Sequence, residues 1–241
     1  MYSIIIPTLN EEKLLPVLLK TLSSNELKEK YNYEIIISDG GSTDKTIEIA
    51  KKYADVIIEK QKSKKQNISI GRNVGAQSAR GEIFIFLNGD IILENAELLF
   101  QEIKNKFEKN EYLAMTCCVK VFPEEENLTD KIFHTFYNNY FHFLNIIGLG
   151  MGRGECHIVR KEIFKELKGY DQRLAAGEDF DLFRRIRKKG KILFDRNLII
   201  YESPRRYRKH GHFNILFTWL INSIYILFAK KSKSKEWEQV R

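Results

Sequence analysis

"YEIIISDGGSTDKTIEIAKKYA", Tyr33 to Ala54, changes character midway. Ile35, Ile36 and Ile37 form a continuous apolar run, as in a strand buried on both faces of a parallel sheet. "SDGGSTD" is turn chemistry, and "STDKTIEIAKKYA" reads as the helix that follows. Strand, turn and helix make half of a crossover unit, so a parallel neighbour is expected on either side. "YSIII", ending at Pro7, precedes it, and "DVIIEK" and "EIFIFL" come after. Helical stretches separate them. "NEEKLLPVLLKTL" has Asn10 as N-cap and Glu11 and Glu12 at the positive end of the dipole, while Pro16 predicts a kink or a late start. "NISIGRNVGAQSA" is built of small residues suited to lying close against other backbone. "NAELLFQEIKNKF" sets Ala96, Leu99, Phe100, Ile103 and Phe107 on one face. The expectation is an α/β fold with a parallel sheet flanked by helices.

The second half is less regular. "YLAMTCCVKVF" predicts a strand, "KIFHTFYNNYFHFLNII" an aromatic helix, and "ECHIVRKEIF" a strand running into a short helix. "EDFDLFRRIRKKG" is a helix ended by Gly190, "ILF" and "LIIYES" are two short strands, and "FNILFTWLINSIYILFAKK" is a last helix. No repeat or low-complexity segment interrupts the chain. One domain over 1–212 with a helical and basic appendage over 213–241 is expected.

At 241 residues and 43% apolar, the chain has material for a sizeable core and is outside the disordered class. A net charge of +8 favours anionic partners. Its basic residues are spread along the chain without a recognition motif, so nucleic acid is not an expected partner. Cys117, Cys118 and Cys156 show neither metal-site spacing nor an even disulfide framework, which predicts a reduced, cytoplasmic setting. Tyr2 to Pro7 is too short for the core of a signal peptide.

In an open parallel sheet, ligands bind beyond the carboxyl ends of the strands. Polar residues collect there: Pro7, Thr8, Asn10 and Glu11 after the first strand; Ser38, Asp39, Gly40, Gly41, Ser42 and Asp44 after the second; Asn88, Gly89 and Asp90 after the fourth. Each cluster alone is ordinary turn chemistry. Together they make one rim.

Four stretches in order, "SIIIPTLNEE", "IIISDGGSTDKT", "GRNVGAQSARGEIFIFLNGD" and "GYDQRLAAGEDFDLFRRIRKKG", resemble the inverting glycosyltransferases of family 2. The resemblance covers roughly Met1 to Ser203. It implies the GT-A fold, a Rossmann-like and mostly parallel sheet between helices. It also implies site roles. Pro7, Thr8, Glu11 and Asp39 would line the base and ribose pocket, with Asp39 accepting from a uracil N–H or a ribose hydroxyl. Arg72 would face the diphosphate, the alternative being a surface cation on a helix. Asp90 would hold Mg2+ or Mn2+, whose other ligands come from phosphate and water. Asn88 replaces the family's usual first Asp; its amide can hold a ribose hydroxyl while adding no charge, which leaves weakened metal use open. Asp179 would be the general base, its pKa lowered by the helix N-terminus, and Glu178 would bind acceptor hydroxyls, or both would merely stabilise the helix dipole with Asp181. With a lipid-phosphate acceptor, already ionised, Asp179 would only position. "SPRRYRKHGH" would be a loop whose Arg205 and Arg206 meet the diphosphate and whose His210 or His212 completes the metal shell. Ser203 replaces the glutamine of processive relatives.

Phe213 to Phe228 is apolar around most of its circumference, apart from Asn214, Thr218 and Asn222. At ~1.5 Å per residue it reaches roughly 24 Å, short of the ~30 Å hydrocarbon core. Packing on the domain, on a second subunit of a homodimer, or at an interface with Trp219, Lys230, Lys231, Lys233 and Lys235 near anionic headgroups stays open. The expected activity is metal-assisted, inverting transfer of a sugar from a UDP- or GDP-sugar to a hydroxyl or lipid-phosphate acceptor. The alternatives are a polyprenyl-phosphate sugar transferase and a sugar-nucleotide-binding protein without turnover. Peripheral contact at the cytoplasmic membrane face is part of the same expectation.

Overall fold

The computed structural model describes residues 1–60, 67–174 and 176–229. In chain order the first elements are β1 (Tyr2–Thr8), α1 (Leu15–Leu22), α2 (Asn25–Tyr31), β2 (Tyr33–Asp39), α3 (Thr46–Ala50) and β3 (Val56–Glu59). Next come α4 (Ile68–Ser78), β4 (Ile83–Leu87), β5 (Ile91–Leu93) and α5 (Ala96–Glu102), which continues as a π-helical stretch over Ile103–Glu108. β6 (Tyr112–Val121), α6 (Leu128–Ile146), β7 (Cys156–Arg160), α7 (Lys161–Glu166) and α8 (Glu178–Arg187) follow. β8 (Lys191–Glu202), α9 (Arg205–His210) and α10 (His212–Ala229) complete the described chain.

The strands form one sheet in the order β3-β2-β1-β4-β7-β6-β8-β5. The β3-β2-β1-β4 half is wholly parallel, as the isoleucine runs predict. β7 turns the sheet: it pairs antiparallel with both β4 and β6. β6 and β8 are parallel, and β5 closes the edge antiparallel to β8. Alternate residues of the buried strands feed opposite faces. Ile4, Ile6, Ile35, Ile37 and Leu87 pack with α1 and α5, while Ile5, Ile36, Phe84 and Phe86 pack with α7 and α8. A third cluster joins Tyr137, Phe141 and Leu144 of α6 to Phe180 and Phe194, with Leu216 and Trp219 of α10 against it.

Three sequence expectations change. α1 begins late, one of the two outcomes expected of Pro16, which sits in its first turn, where a missing N–H costs nothing. Asn10 is therefore no cap; it lies at φ 56 and its Oδ1 accepts from the backbone N of Thr43. "ILF" and "LIIYES" are one strand, β8, bulged where Cys117 pairs with Asp195 but Cys118 with Ile199. Asp195 Oδ1 holds the bulge by accepting from the backbone N of Asn197 and Leu198. The basic stretch after Ser203 is a short helix, α9, rather than a loop. Lys230, Lys231, Lys233 and Lys235 lie outside the described residues. Among those described, no helix is long and apolar enough to cross a membrane.

Candidate active site

The ends of β1 and β2 stand level, with Thr8 opposite Asp39. Asp39 is buried, and its Oδ2 accepts from the backbone N of Gly41 and Ser42 at 2.8 Å each. Its Oδ1 accepts from Thr8 Oγ1 at 3.1 Å and Ser42 Oγ at 2.5 Å. A carboxylate offers about four lone-pair sites, and these four donors take them up. Asp39 thus shapes the rim, with both of its oxygens engaged by the protein. Pro7 is half-buried beside Ser38. Glu11 is buried; its backbone N donates to Thr46 Oγ1. A Cβ on Gly89 would meet Glu11 Cγ at 3.2 Å and Thr8 Cγ2 at 3.4 Å. The Asn88–Asp90 turn therefore lies directly against the β1 rim.

Arg72 lies beneath the rim rather than at it. It is neither a surface cation nor an open phosphate ligand: the whole side chain is buried on α4. Its Nη1 donates to Glu178 Oε1 at 2.8 Å. Its Nη2 donates to Asn88 Oδ1 at 2.9 Å and to the Gly154 carbonyl at 2.6 Å, and the guanidinium lies 5.1 Å from the Tyr170 ring centre. One planar fork ties the end of β4, the loop before β7 and the start of α8, which a point-charge ammonium could not do. Asn88 consequently turns its oxygen toward Arg72.

Asp179 stands in the first turn of α8, half-buried, with its Oδ1 accepting from the backbone N of Phe180 at 2.7 Å. A Cβ on Gly154 would come 3.3 Å from its Oδ2, so the glycine makes room for this carboxylate. Its pKa is pushed up to about 7 by burial first and by the adjacent Glu178 charge second; Arg72 opposes them without prevailing. The helix N-terminus was expected to lower it. Desolvation and a like charge outweigh the dipole here.

Asp90 is half-buried, and Arg205 of α9 reaches its Oδ2 at 3.3 Å. Arg208 of α9 and His212 of α10 serve the fold. Arg208 Nη1 donates to Asp130 Oδ1 at 2.8 Å, and His212 Nε2 contacts the same oxygen at 2.8 Å while stacking on Tyr207. Arg206 and His210 are both half-buried on this helix. No group of three or more His, Cys, Asp or Glu among the described residues converges on a metal position, so His210 joins no such group. The donor set near Asp90 fits a hard cation in one form only: a single carboxylate, with phosphate and water supplying the remaining ligands. A cavity of about 170 Å³ bounded by Asn10, Glu11, Lys13, Asp44 and Arg205 lies at this edge.

Sequence reading missed a second buried charge group. Arg153 Nη2 donates to Glu202 Oε1 at 3.2 Å and its Nε to Glu155 Oε2 at 3.2 Å. Tyr207 Oη donates to Glu202 Oε1 at 2.7 Å. Burial, then the Glu155 charge, pushes the Glu202 carboxyl up to about 8. Burial also pushes His134, 3.7 Å from Glu202, down to about 3, aided by Arg153. Glu202 ends β8 opposite Ile91, the neighbour of Asp90. Its signal was present: a carboxylate at a strand's carboxyl end, the same rule applied to β1, β2 and β4.

Residues 3–168, well over half the chain, match the family described as glycosyl transferase family 2. The chain belongs to that family. Dolichyl-phosphate beta-glucosyltransferase of Mus musculus is 30% identical over 158 residues, covering 59% of this chain and 48% of the mouse protein. The chain thus spans about half the length of that relative. The mannosyltransferase PcManGT from Pyrobaculum calidifontis, solved with GDP-Man and Mn2+, superimposes with a TM-score of 0.73 at 18% identity, covering 95% of this chain and 63% of that one. Glucosyl-3-phosphoglycerate synthase from Mycobacterium tuberculosis, solved with Mn2+, UDP and glucosyl-3-phosphoglycerate, does so at 0.63 and 14% identity, covering 95% and 79%. At such identities the likeness establishes the GT-A fold. The family 2 assignment rests on the sequence match.

Proposed function

We propose that this family 2 chain transfers a sugar from a nucleoside-diphosphate sugar, UDP- or GDP-linked, to an acceptor by single displacement with inversion. The observation that carries the reading is Asp179: a carboxylate, its pKa raised to about 7, beside Gly154, whose loop Arg72 ties to Asn88 at the end of β4. A general base works best when its pKa is near the operating pH. The acceptor hydroxyl gives its proton to the Asp179 carboxylate. The freed oxygen pair forms the bond to the anomeric carbon as the bond to diphosphate oxygen breaks, and the nucleoside diphosphate leaves with that electron pair. Arg72 and Glu178 fix where Asp179 stands. Arg205, swung from Asp90, and Arg206 face the departing diphosphate. Asp90 would hold Mg2+ or Mn2+, which offsets the charge of the leaving group.

A second acceptor class has its own support. The mouse relative is named for dolichyl phosphate, which supports a lipid-phosphate acceptor as the second candidate here. A phosphate acceptor is already ionised, and Asp179 then only positions it. Transfer assays with wild type, Asp90→Ala and Asp179→Asn, with and without Mn2+, separate these readings. Loss of ~10²-fold or more in Asp179→Asn supports the base role. Full transfer by Asp179→Asn to a polyprenyl phosphate supports the second acceptor. Binding of UDP- and GDP-sugars without turnover of any would refute the enzyme reading.

A further inference from the structure

Two helices that pack on each other present apolar side chains to solvent. On α6, Ile132, Phe136, Phe143 and Ile146 fall on one stripe, and their exposures run from 54% to 66%. On α10, Phe213 is 86% exposed and Phe217 64%. The helices touch through Trp219, whose ring lies 5.3 Å from Tyr137 and 6.2 Å from Phe133. Soluble monomers rarely leave contiguous patches of this kind bare.

The charge carried by these helices, and by the sequence that follows them, bears on what covers the patch. α10 contains no Asp or Glu. The only acid of α6, Asp130, is buried and bound to Arg208 and His212. Lys131 is exposed beside Ile132. The sequence after Ala229 opens "KKSKSK", placing four lysines before the next acid, Glu236. The exposed Glu124 and Glu125 that precede α6 offset only part of this positive charge, so a second copy docked on this face would bring two net-positive regions together. An anionic surface would be attracted.

We infer that the α6–α10 face docks on an anionic lipid surface, lying in the interface without crossing it. The opposite side of α6 holds the site. Asn145 Nδ2 donates to the Met151 carbonyl and its Oδ1 accepts from the Met151 backbone N, each at 2.8 Å, while Arg153 lies 5.8 Å from the Phe141 ring centre. That loop carries Gly154, next to Asp179. Docking therefore sets the bilayer on the outer face of the helix whose inner face holds that loop. The inference stands independently of the sugar-transfer reading, because its readout is binding.

The test is flotation of the full chain with vesicles of phosphatidylcholine alone or with phosphatidylglycerol. Wild type should float with the anionic vesicles, at least about tenfold more strongly than with neutral ones. Phe136→Glu combined with Phe217→Glu should cut that binding about tenfold or more with an unchanged circular-dichroism spectrum. Ile132→Gln with Phe213→Gln is the milder pair should the first misfold, with the same direction expected. Wild type that stays unbound to anionic vesicles overturns the inference. So does equal binding to neutral vesicles, or a stable dimer that either pair disperses, since that would assign the face to a second copy.

Discussion

Glu178→Gln tests the origin of the base. Glu178 acts on Asp179 in two ways. Its charge raises the Asp179 pKa directly, and its contact with Arg72 Nη1 at 2.8 Å neutralises the cation that would lower it. Removing the charge therefore pushes Asp179 down by both routes. With a pKa of about 7, about 10% of Asp179 is ionised at pH 6 and about 90% at pH 8, so kcat/KM for a hydroxyl acceptor should rise about tenfold between them. A neighbouring charge is worth roughly 1–3 pKa units, so Glu178→Gln should move the acidic limb to about pH 6 or below. The same pH 6 to pH 8 ratio then shrinks to about twofold or less. The assay is initial transfer rates from pH 5.5 to 8.5 at subsaturating donor. A wild-type profile that is flat, or a Glu178→Gln limb that stays at pH 7, would refute the reasoning.

Asp179→Asn should raise the melting temperature at pH 8. The folded-state pKa lies above the ordinary value of 3.8, so the acidic form is favoured by folding. Stability from that group is present below pH ~4 and lost as pH rises through about 7. The Asn variant should therefore gain a few degrees at pH 8 and nothing near pH 4. Asp130→Asn runs the other way. Burial would raise that carboxyl, but Arg208, the Asn127 backbone N and His212 hold it at about 2. Its contribution is present above pH ~4, is lost as pH falls toward 2, and amounts to about 2 kcal/mol, readable by urea denaturation at pH 7. Arg72→Met leaves Glu178 buried without its partner. A loss of about 3–5 kcal/mol is expected, partly restored by adding Glu178→Gln. Asn88→Asp should change Mn2+ affinity less than about threefold, because Arg72 will hold the new carboxylate; much tighter metal binding by calorimetry would show that the side chain faces the cation.

The parallel half of the sheet was legible because its signals are local. Apolar runs such as Ile35–Ile37 and Phe84–Leu87, turn residues after each, and the Ala96-to-Phe107 face all act within a few residues of themselves. Local signals also sufficed to bring Thr8, Asp39, Asn88 and Asp90 to one rim, since every parallel strand ends on the same side. The β6–β8 region was less legible. Its bulge depends on Asp195 folding onto its own backbone, and its strand order on an antiparallel β7.

What each rim residue does depended on contacts that no window of sequence contains. Arg72 and Glu178 are 106 positions apart, yet their pairing decides where Arg72 points and what Asn88 does. Asp39 belongs to the rim by pattern, but only the fold shows its four acceptor sites occupied by Thr8, Gly41 and Ser42. Asp179 heads a helix in the sequence, which argues for a lowered pKa. Only tertiary burial reverses the sign, because desolvation is a property of everything packed around a group rather than of its neighbours in the chain.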